Sequence, residues 1–230
     1  MSAILEMRDV SFAIEQPYEC ELSGFSLRLE PGELCLIAPP PGRFATPIAD
    51  LSCGIVEPEQ GVVVFDGVEW PARSPLAASA ARGRVGRVFE RSGWLSNLDM
   101  DENITLAQRY HRSRELHEAL QEAQSLASEL GLGELPQGRP AHVGREELLK
   151  AQWVRALLGK PALLLLERPL RDLAPAEGAP FVQAVNRLRE REGSAVIWIT
   201  GTFDRMEDSA LRPTRKCAME GGALRDLVEL

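Results

Sequence analysis

The sequence predicts an α/β fold with a largely parallel sheet, on three observations. Short apolar runs rich in branched residues alternate with segments of helical period. Turn signals bound those runs. Two of the runs, Leu163–Leu166 and Val196–Ile199, are apolar throughout, as strands covered on both faces must be. The predicted strands are Leu34–Ala38, Val62–Phe65, Val85–Phe89, Ala162–Leu166 and Ala195–Thr200. Pro31-Gly32 precedes the first, Asp66-Gly67 follows the second, and Pro161 opens the fourth.

Between Asp101 and Leu130 the period changes. Leu116, Leu120, Ala123, Ala127 and Leu130 recur at helical spacing, and Gly131 supplies a C-terminal stop. Further helices are expected over Glu146–Leu158 and Ala179–Arg191. The expected organisation is one domain over residues 1–230. Residues 1–90 hold a β-subdomain and part of the core, 91–158 form a helical insertion, and 159–230 complete the core.

The chain's 230 residues are 44% hydrophobic and 26% charged, an ordinary globular balance. Its 26 basic against 34 acidic residues give a net charge of −8, which disfavours a dedicated nucleic-acid binder. No run approaches the roughly 20 apolar residues that cross a bilayer. The first ten residues include Glu6, Arg8 and Asp9, unlike a secretion signal. Cys20, Cys35, Cys53 and Cys217 are widely spaced, which reads as scattered buried thiols in a reducing cytoplasm rather than a zinc site. His111, His117 and His142 read as solvent-facing or packing residues, and Arg82, Arg84, Arg87 and Arg91 as a solvated or intersubunit strand edge.

A series of short motifs runs the length of the chain in a fixed order. Pro31-Gly32-Glu33 leads into Leu34–Ala38; Glu57–Gly61 precedes a strand ending in Asp66-Gly67; Val88-Phe89-Glu90 is followed by Asp101-Glu102-Asn103-Ile104. Arg155-Ala156-Leu157 precedes Leu163–Leu166 with Glu167-Arg168-Pro169, and Glu220-Gly221-Gly222 lies near the end. This order resembles the nucleotide-binding domain of ABC transporters. The resemblance implies a P-loop NTPase-like core, an N-terminal antiparallel β-subdomain and a helical insertion. It further implies ATP and magnesium as ligands, a homodimer or a heterodimer with another ATP-binding subunit, and an integral-membrane transporter subunit as partner. A cytoplasmic place, peripheral on the inner face of the cell membrane, goes with it.

The residues that would do the chemistry depart from the family's pattern. The phosphate loop of that family, G-x-x-G-x-G-K-[ST], wraps phosphates in backbone N–H groups and neutralises them with lysine. Here the loop reads Pro39-Pro40-Pro41-Gly42-Arg43-Phe44-Ala45-Thr46. Ala45 takes the lysine position, and the nearest lysine in sequence is Lys150. Three prolines donate no N–H. Gly42 and the Thr46 hydroxyl survive, and Arg43 is the one neighbouring charge.

Glu90 stands in place of the Q-loop glutamine and Glu167 in place of the metal-orienting aspartate. Arg168 replaces the glutamate that would polarise water, and a guanidinium stays protonated at neutral pH. Gly201, in Ile199-Thr200-Gly201-Thr202, falls where a switch histidine is expected; Ile14 falls near the adenine-stacking position. The signature loop is Val143-Gly144-Arg145-Glu146-Glu147, without its serine, and Ala174 replaces the D-loop aspartate.

These losses together predict a pseudo-ATPase, because phosphoryl transfer is mainly positioning and electrostatic stabilisation. A residual nucleotide and magnesium site would comprise Gly42, Arg43, Thr46, Glu90 and Glu167. The expected membrane-subunit landing surface is Trp94, Leu95, Leu98 and Met100 in the stretch 92–100. A soluble scaffold using the same fold, or an active ATPase with unconventional residues, are the alternative readings.

Overall fold

The computed structural model describes residues 2–91, 93–111, 115–201 and 210–227, with the side chain of Pro175 set aside. Two sheets share the chain. The first is antiparallel, in the order β2-β1-β4-β5, formed by β1 (Leu5–Phe12), β2 (Leu22–Leu29), β4 (Gln60–Phe65) and β5 (Val68–Glu69). The second has the order β10-β9-β3-β8-β7-β6. It contains β3 (Leu34–Ala38), β6 (Val85–Val88), β7 (Leu163–Glu167), β8 (Ala195–Ile199), β9 (Arg215–Glu220) and β10 (Ala223–Asp226). From β9 to β6 its pairings are parallel, and β10 folds back antiparallel on β9.

The parallel sheet is covered on both faces, and its side chains alternate accordingly. Cys35, Ile37, Leu163, Leu165, Ile197 and Ile199 face the antiparallel sheet, joining Leu5, Phe25 and Phe65 in one core. Leu34, Leu36, Leu164, Leu166, Val196 and Trp198 face the helices in a second core. The four cysteines are free and buried, with the Cys35 and Cys217 sulfurs 3.8 Å apart between β3 and β9.

The helices are α1 (Ile48–Ser52), α2 (Pro75–Arg82), α3 (Met100–His111), α4 (Leu116–Glu129), α5 (Arg145–Leu157) and α6 (Pro175–Glu192). The apolar stripe expected on α4 holds at Ala123, Ala127 and Leu130 and differs in its first turn. Ala119, Ala123, Ala127 and Leu130 are fully buried, whereas Leu116 is 45% exposed. Small residues on the inner face let α4 lie close to its neighbours α3 and α5. α6 starts earlier than the apolar period suggests. Pro175 opens it, and the Glu177 carboxylate accepts the Ala174 N–H at 2.8 Å, satisfying a donor that a helix start leaves free.

The packing of α5 on the sheet edge depends on one glycine. A Cβ at position 86 would stand 1.9 Å from the Ala156 carbonyl oxygen, so only Gly86 allows that approach. α5 in turn holds the residues flanking the site. Trp153 stacks on Phe181 and donates its indole N–H to Pro169 O at 2.8 Å; Gln152 Oε1 accepts the Phe89 N–H at 3.0 Å.

Candidate functional site

The site lies at the C-terminal ends of β3 and β7, where the loops after these strands meet. That is where open parallel sheets present ligand-binding loops. Its loops are Pro39–Pro47, Phe89–Arg91 and Arg168–Ala174. The structure brings Ala45, Thr46, Glu90, Glu167, Arg168 and Gly201 to this end of the sheet, as the sequence expects. Thr202 lies outside the described residues.

The centre of the site is an ion-pair network. Arg87, on β6, donates Nε–H to Glu167 Oε2 at 2.8 Å and Nη1–H to Asp50 Oδ1 at 2.5 Å. Asp50 Oδ2 also accepts the Tyr18 hydroxyl at 2.8 Å. The side chains of Arg87 and Glu167 are only 14% and 5% exposed, so the pair has left water almost completely. Burial pushes the Glu167 carboxyl above the ordinary carboxylate range, with Arg87 pulling the other way. Burial alone would depress the Arg87 guanidinium, but Glu167 and Asp50 outweigh it and hold the charge above its usual range. Arg87 is therefore a buried partner of the site. The expectation of a solvated or intersubunit edge fails here, because β6 turns this side chain towards Glu167. Arg82 is also used internally: its Nε–H donates to Cys53 O at 2.9 Å and its Nη2–H to Gly54 O at 2.5 Å, at the end of α1. Arg84 pairs with Asp66.

Arg168 occupies the position where a proton acceptor is expected. Its Nη1–H donates to Glu90 Oε1 at 3.0 Å, and its guanidinium carbon lies 4.0 Å from the centre of the Phe44 ring. Its backbone is at φ +46°, a left-handed conformation uncommon for a side chain of this size. The Arg168 N–H donates to Ile199 O at 2.9 Å, and the Arg171 guanidinium ties Phe89 O and Glu90 O at 3.0 and 2.6 Å, fixing the turn. Gly201 is matched to this arrangement. A Cβ at position 201 would lie 2.9 Å from Arg168 Nε, so the arginine fills space a side chain at 201 would need. The two departures from the family pattern therefore share one volume.

The loop 39–46 is held from the side of Glu19. Its carboxylate Oε2 accepts the Phe44 N–H at 2.8 Å and the Ala45 N–H at 3.2 Å. Gly42 sits at φ +78°, in the region that favours glycine, and Arg43 is exposed. The Thr46 hydroxyl and Glu90 Oε2 are buried without a hydrogen-bond partner. Ile14 is 53% exposed.

At the signature position Gly144 precedes α5, and its N–H donates to Glu147 Oε2 at 3.1 Å. Glu146 pairs with Lys150 one turn on, at 2.5 Å. Lysine, rather than the neighbouring Arg145, therefore neutralises it. Val143 is half-buried against the helical core, and Arg145 is exposed.

The expected landing surface divides in three. Leu95 is 47% exposed, and Leu98 is half-buried. Trp94 packs against the helical core with its ring 4.2 Å from the Arg155 guanidinium carbon. That guanidinium also faces Phe89, and burial, with Arg87 nearby, lowers it to about 10. Met100 corrects the sequence reading. It is fully buried in the helical core, because the start of α3 turns it inward, so it offers nothing to a partner. Asn103 sets this geometry: its Oδ1 accepts the Leu95 N–H at 2.9 Å, while its amide donates to Leu95 O, Leu98 O and Asp99 O at 3.0–3.1 Å. Ser92 lies outside the described residues.

Sequence reasoning missed Glu19, Asp50 and Tyr18, and misplaced Arg87. None sits in a motif that the fold's landmarks would flag. Only the run of arginines at 82–91, beside a strand, marked the neighbourhood.

Known proteins similar to this chain are ATP-binding cassettes. No family model matches the chain. The lipoprotein-releasing system ATP-binding protein LolD of Pseudomonas fluorescens is 31% identical over 174 residues, 74% of this chain and 76% of LolD. The molybdenum import ATP-binding protein ModC of Brucella melitensis is 26% identical over 227 residues, 97% of this chain and 59% of ModC. The macrolide export ATP-binding/permease protein MacB of Syntrophobacter fumaroxidans is 26% identical over 181 residues, 78% of this chain but 25% of MacB. The chain thus spans a quarter of one of these relatives and somewhat over half of another. The dimeric structure of MJ0796, a bacterial ABC transporter cassette, superposes with a TM-score of 0.81 at 18% identity, over 97% of both chains. A post-hydrolysis dimer of the same cassette, bound to ADP and Pi, gives 0.78. The chain belongs to the ATP-binding subunits of ABC transporters. Among the described residues no helix is long and apolar enough to cross a membrane.

Proposed function

We propose that this chain is a pseudo-ATPase: an ABC cassette that docks on a transmembrane transporter subunit and serves assembly or coupling with little or no ATP hydrolysis. The observation that carries the reading is the self-neutralised site. Glu167 is paired with Arg87, Glu90 with Arg168, and the Phe44 and Ala45 amides with Glu19. A nucleotide's phosphates and magnesium would have to break these contacts, and Ala45 offers no amine in return. The residues do not fit a bound triphosphate. Arg168, protonated and engaged, accepts no proton from water.

Pairing with a second subunit does not repair this. In a cassette dimer each nucleotide lies between one phosphate loop and the opposite signature loop. This chain brings Pro39–Thr46 to one site and Val143–Glu147 to the other, where no serine hydroxyl stands and Glu147 holds the Gly144 N–H for itself. The dimer, with a second copy or another ATP-binding subunit, is accordingly a mechanical unit. The name of MacB joins an ATP-binding and a permease part in one chain. This supports a membrane subunit as the partner here, and a peripheral place on the inner face of the cell membrane would follow from docking on it. Leu95 and Leu98 are the docking residues, with Trp94 supporting the loop from beneath.

Calorimetric titration of the purified chain with Mg·ATP tests the reading. The expected result is no binding heat at nucleotide concentrations up to about 1 mM, which corresponds to less than roughly 4 kcal/mol of affinity. A second reading, an ATPase with unconventional residues, draws on the partnerless buried oxygens of Thr46 and Glu90, which are suited to a cation. Micromolar binding that requires magnesium and is lost in Thr46→Val would favour it.

A further inference from the structure

The segment between β1 and β2 fastens the phosphate loop through three consecutive residues. The Tyr18 hydroxyl donates to Asp50 Oδ2 at 2.8 Å, on the helix that follows the loop. The Cys20 thiol donates to Arg43 O at 3.4 Å. Between them Glu19 makes a reciprocal set: its own N–H donates to Ala45 O at 2.7 Å, while its carboxylate accepts the N–H groups of Phe44 and Ala45. The Arg43 N–H closes a turn on Pro40 O at 3.0 Å, and Pro39, Pro40 and Pro41 have none to give. Two of the loop's remaining amides, those of Phe44 and Ala45, are thus met by an anion from the same chain.

We infer that Glu19 is a resident substitute for phosphate, a tethered carboxylate that keeps the loop in its closed shape without a nucleotide. The inference rests on reading Pro39–Thr46 as the degenerate phosphate loop and adds the group that replaces its ligand. Hydrogen bonds from N–H to a carboxylate are about twice as strong as neutral ones. Tethering gives the carboxylate a local concentration that a free anion must exceed to displace it. Its backbone bond to Ala45 O keeps it aimed at the loop. A nucleotide would therefore meet both a cradle with two of its amides already engaged and a like charge.

Amide hydrogen exchange at Phe44 and Ala45, in the nucleotide-free full chain, tests this directly. Both amides are expected to be protected in the unchanged protein. In Glu19→Ala they should exchange about tenfold faster or more, and in Glu19→Gln by an intermediate factor, since an amide oxygen still accepts but carries no charge. Glu19 is exposed, so both variants should keep the near-ultraviolet dichroism of the folded chain. Rapid exchange in the unchanged protein, or equal protection in Glu19→Ala, would overturn the inference. No nucleotide enters this experiment, so its failure would leave the calorimetric test untouched. Conversely, ATP turnover alongside Glu19-dependent protection would overturn the functional reading and leave this one standing.

Discussion

Arg87→Ala is expected to destabilise the chain by about 3–5 kcal/mol, the range found when one partner of a buried ion pair is removed. The loss is not the worth of the contact itself. It is the cost of leaving the Glu167 carboxylate, 5% exposed, without the guanidinium that offsets its desolvation. The pH dependence has a definite sign. Burial already raises the Glu167 carboxyl, and removing Arg87 takes away the charge that lowers it, so it rises further. A group whose folded pKa lies above its unfolded value stabilises the fold when protonated and loses that contribution as pH rises. The deficit of Arg87→Ala should therefore shrink as pH falls from 7 towards 5. Arg87→Met combined with Glu167→Leu removes both charges at similar volume and should be less damaging than Arg87→Ala alone. Urea denaturation of the three proteins at pH 5 and pH 7 measures all of this. An unchanged midpoint in Arg87→Ala would mean that the pair does not organise the site.

Met100→Asp should abolish folding, whereas Leu95→Asp should leave stability within about 0.5 kcal/mol and remove association with a membrane subunit. The two residues lie in one short stretch, and residue type alone would place both on an apolar landing surface. Met100 is fully buried in the same apolar core as Val88, Ile104 and Trp153, where a carboxylate would be cut off from water. Leu95 is held outward by Asn103 through the loop backbone. Soluble yield and near-ultraviolet dichroism report on the first variant, and cosedimentation with membranes on the second. A folded Leu95→Asp chain that still cosediments would place docking elsewhere.

The parallel sheet was legible because burial on both faces leaves a run such as Leu163–Leu166 with no polar residue, in a stretch too short to prefer a buried helix. β1 was harder to see. Its alternation breaks at Asp9, which takes φ +49° between the paired positions Met7 and Val10, so a two-residue period cannot be followed along it. Ala123 and Ala127 are buried on α4 as expected, but the start of the stripe was misread because alanine carries little hydrophobic signal: Ala119 is buried there and Leu116 is exposed.

At the site, single residues could be placed by their distance from landmarks, and Ala45, Glu90, Arg168 and Gly201 all lie together as expected. Their partners could not. Arg87 and Glu167 are on neighbouring strands far apart in sequence, and Glu19 reaches the loop from a connection with no regular period. Such contacts depend on where side chains of different elements converge, and spacing along one element does not carry that information.

Release of inorganic phosphate from Mg·ATP by the purified chain, compared with Glu167→Gln, bears most directly on the central claim. The account predicts the same background rate for both proteins, alone and in a mixed dimer with a competent cassette. Phosphate release by the unchanged chain at about 1 s⁻¹ or faster, lost in Glu167→Gln, would contradict it.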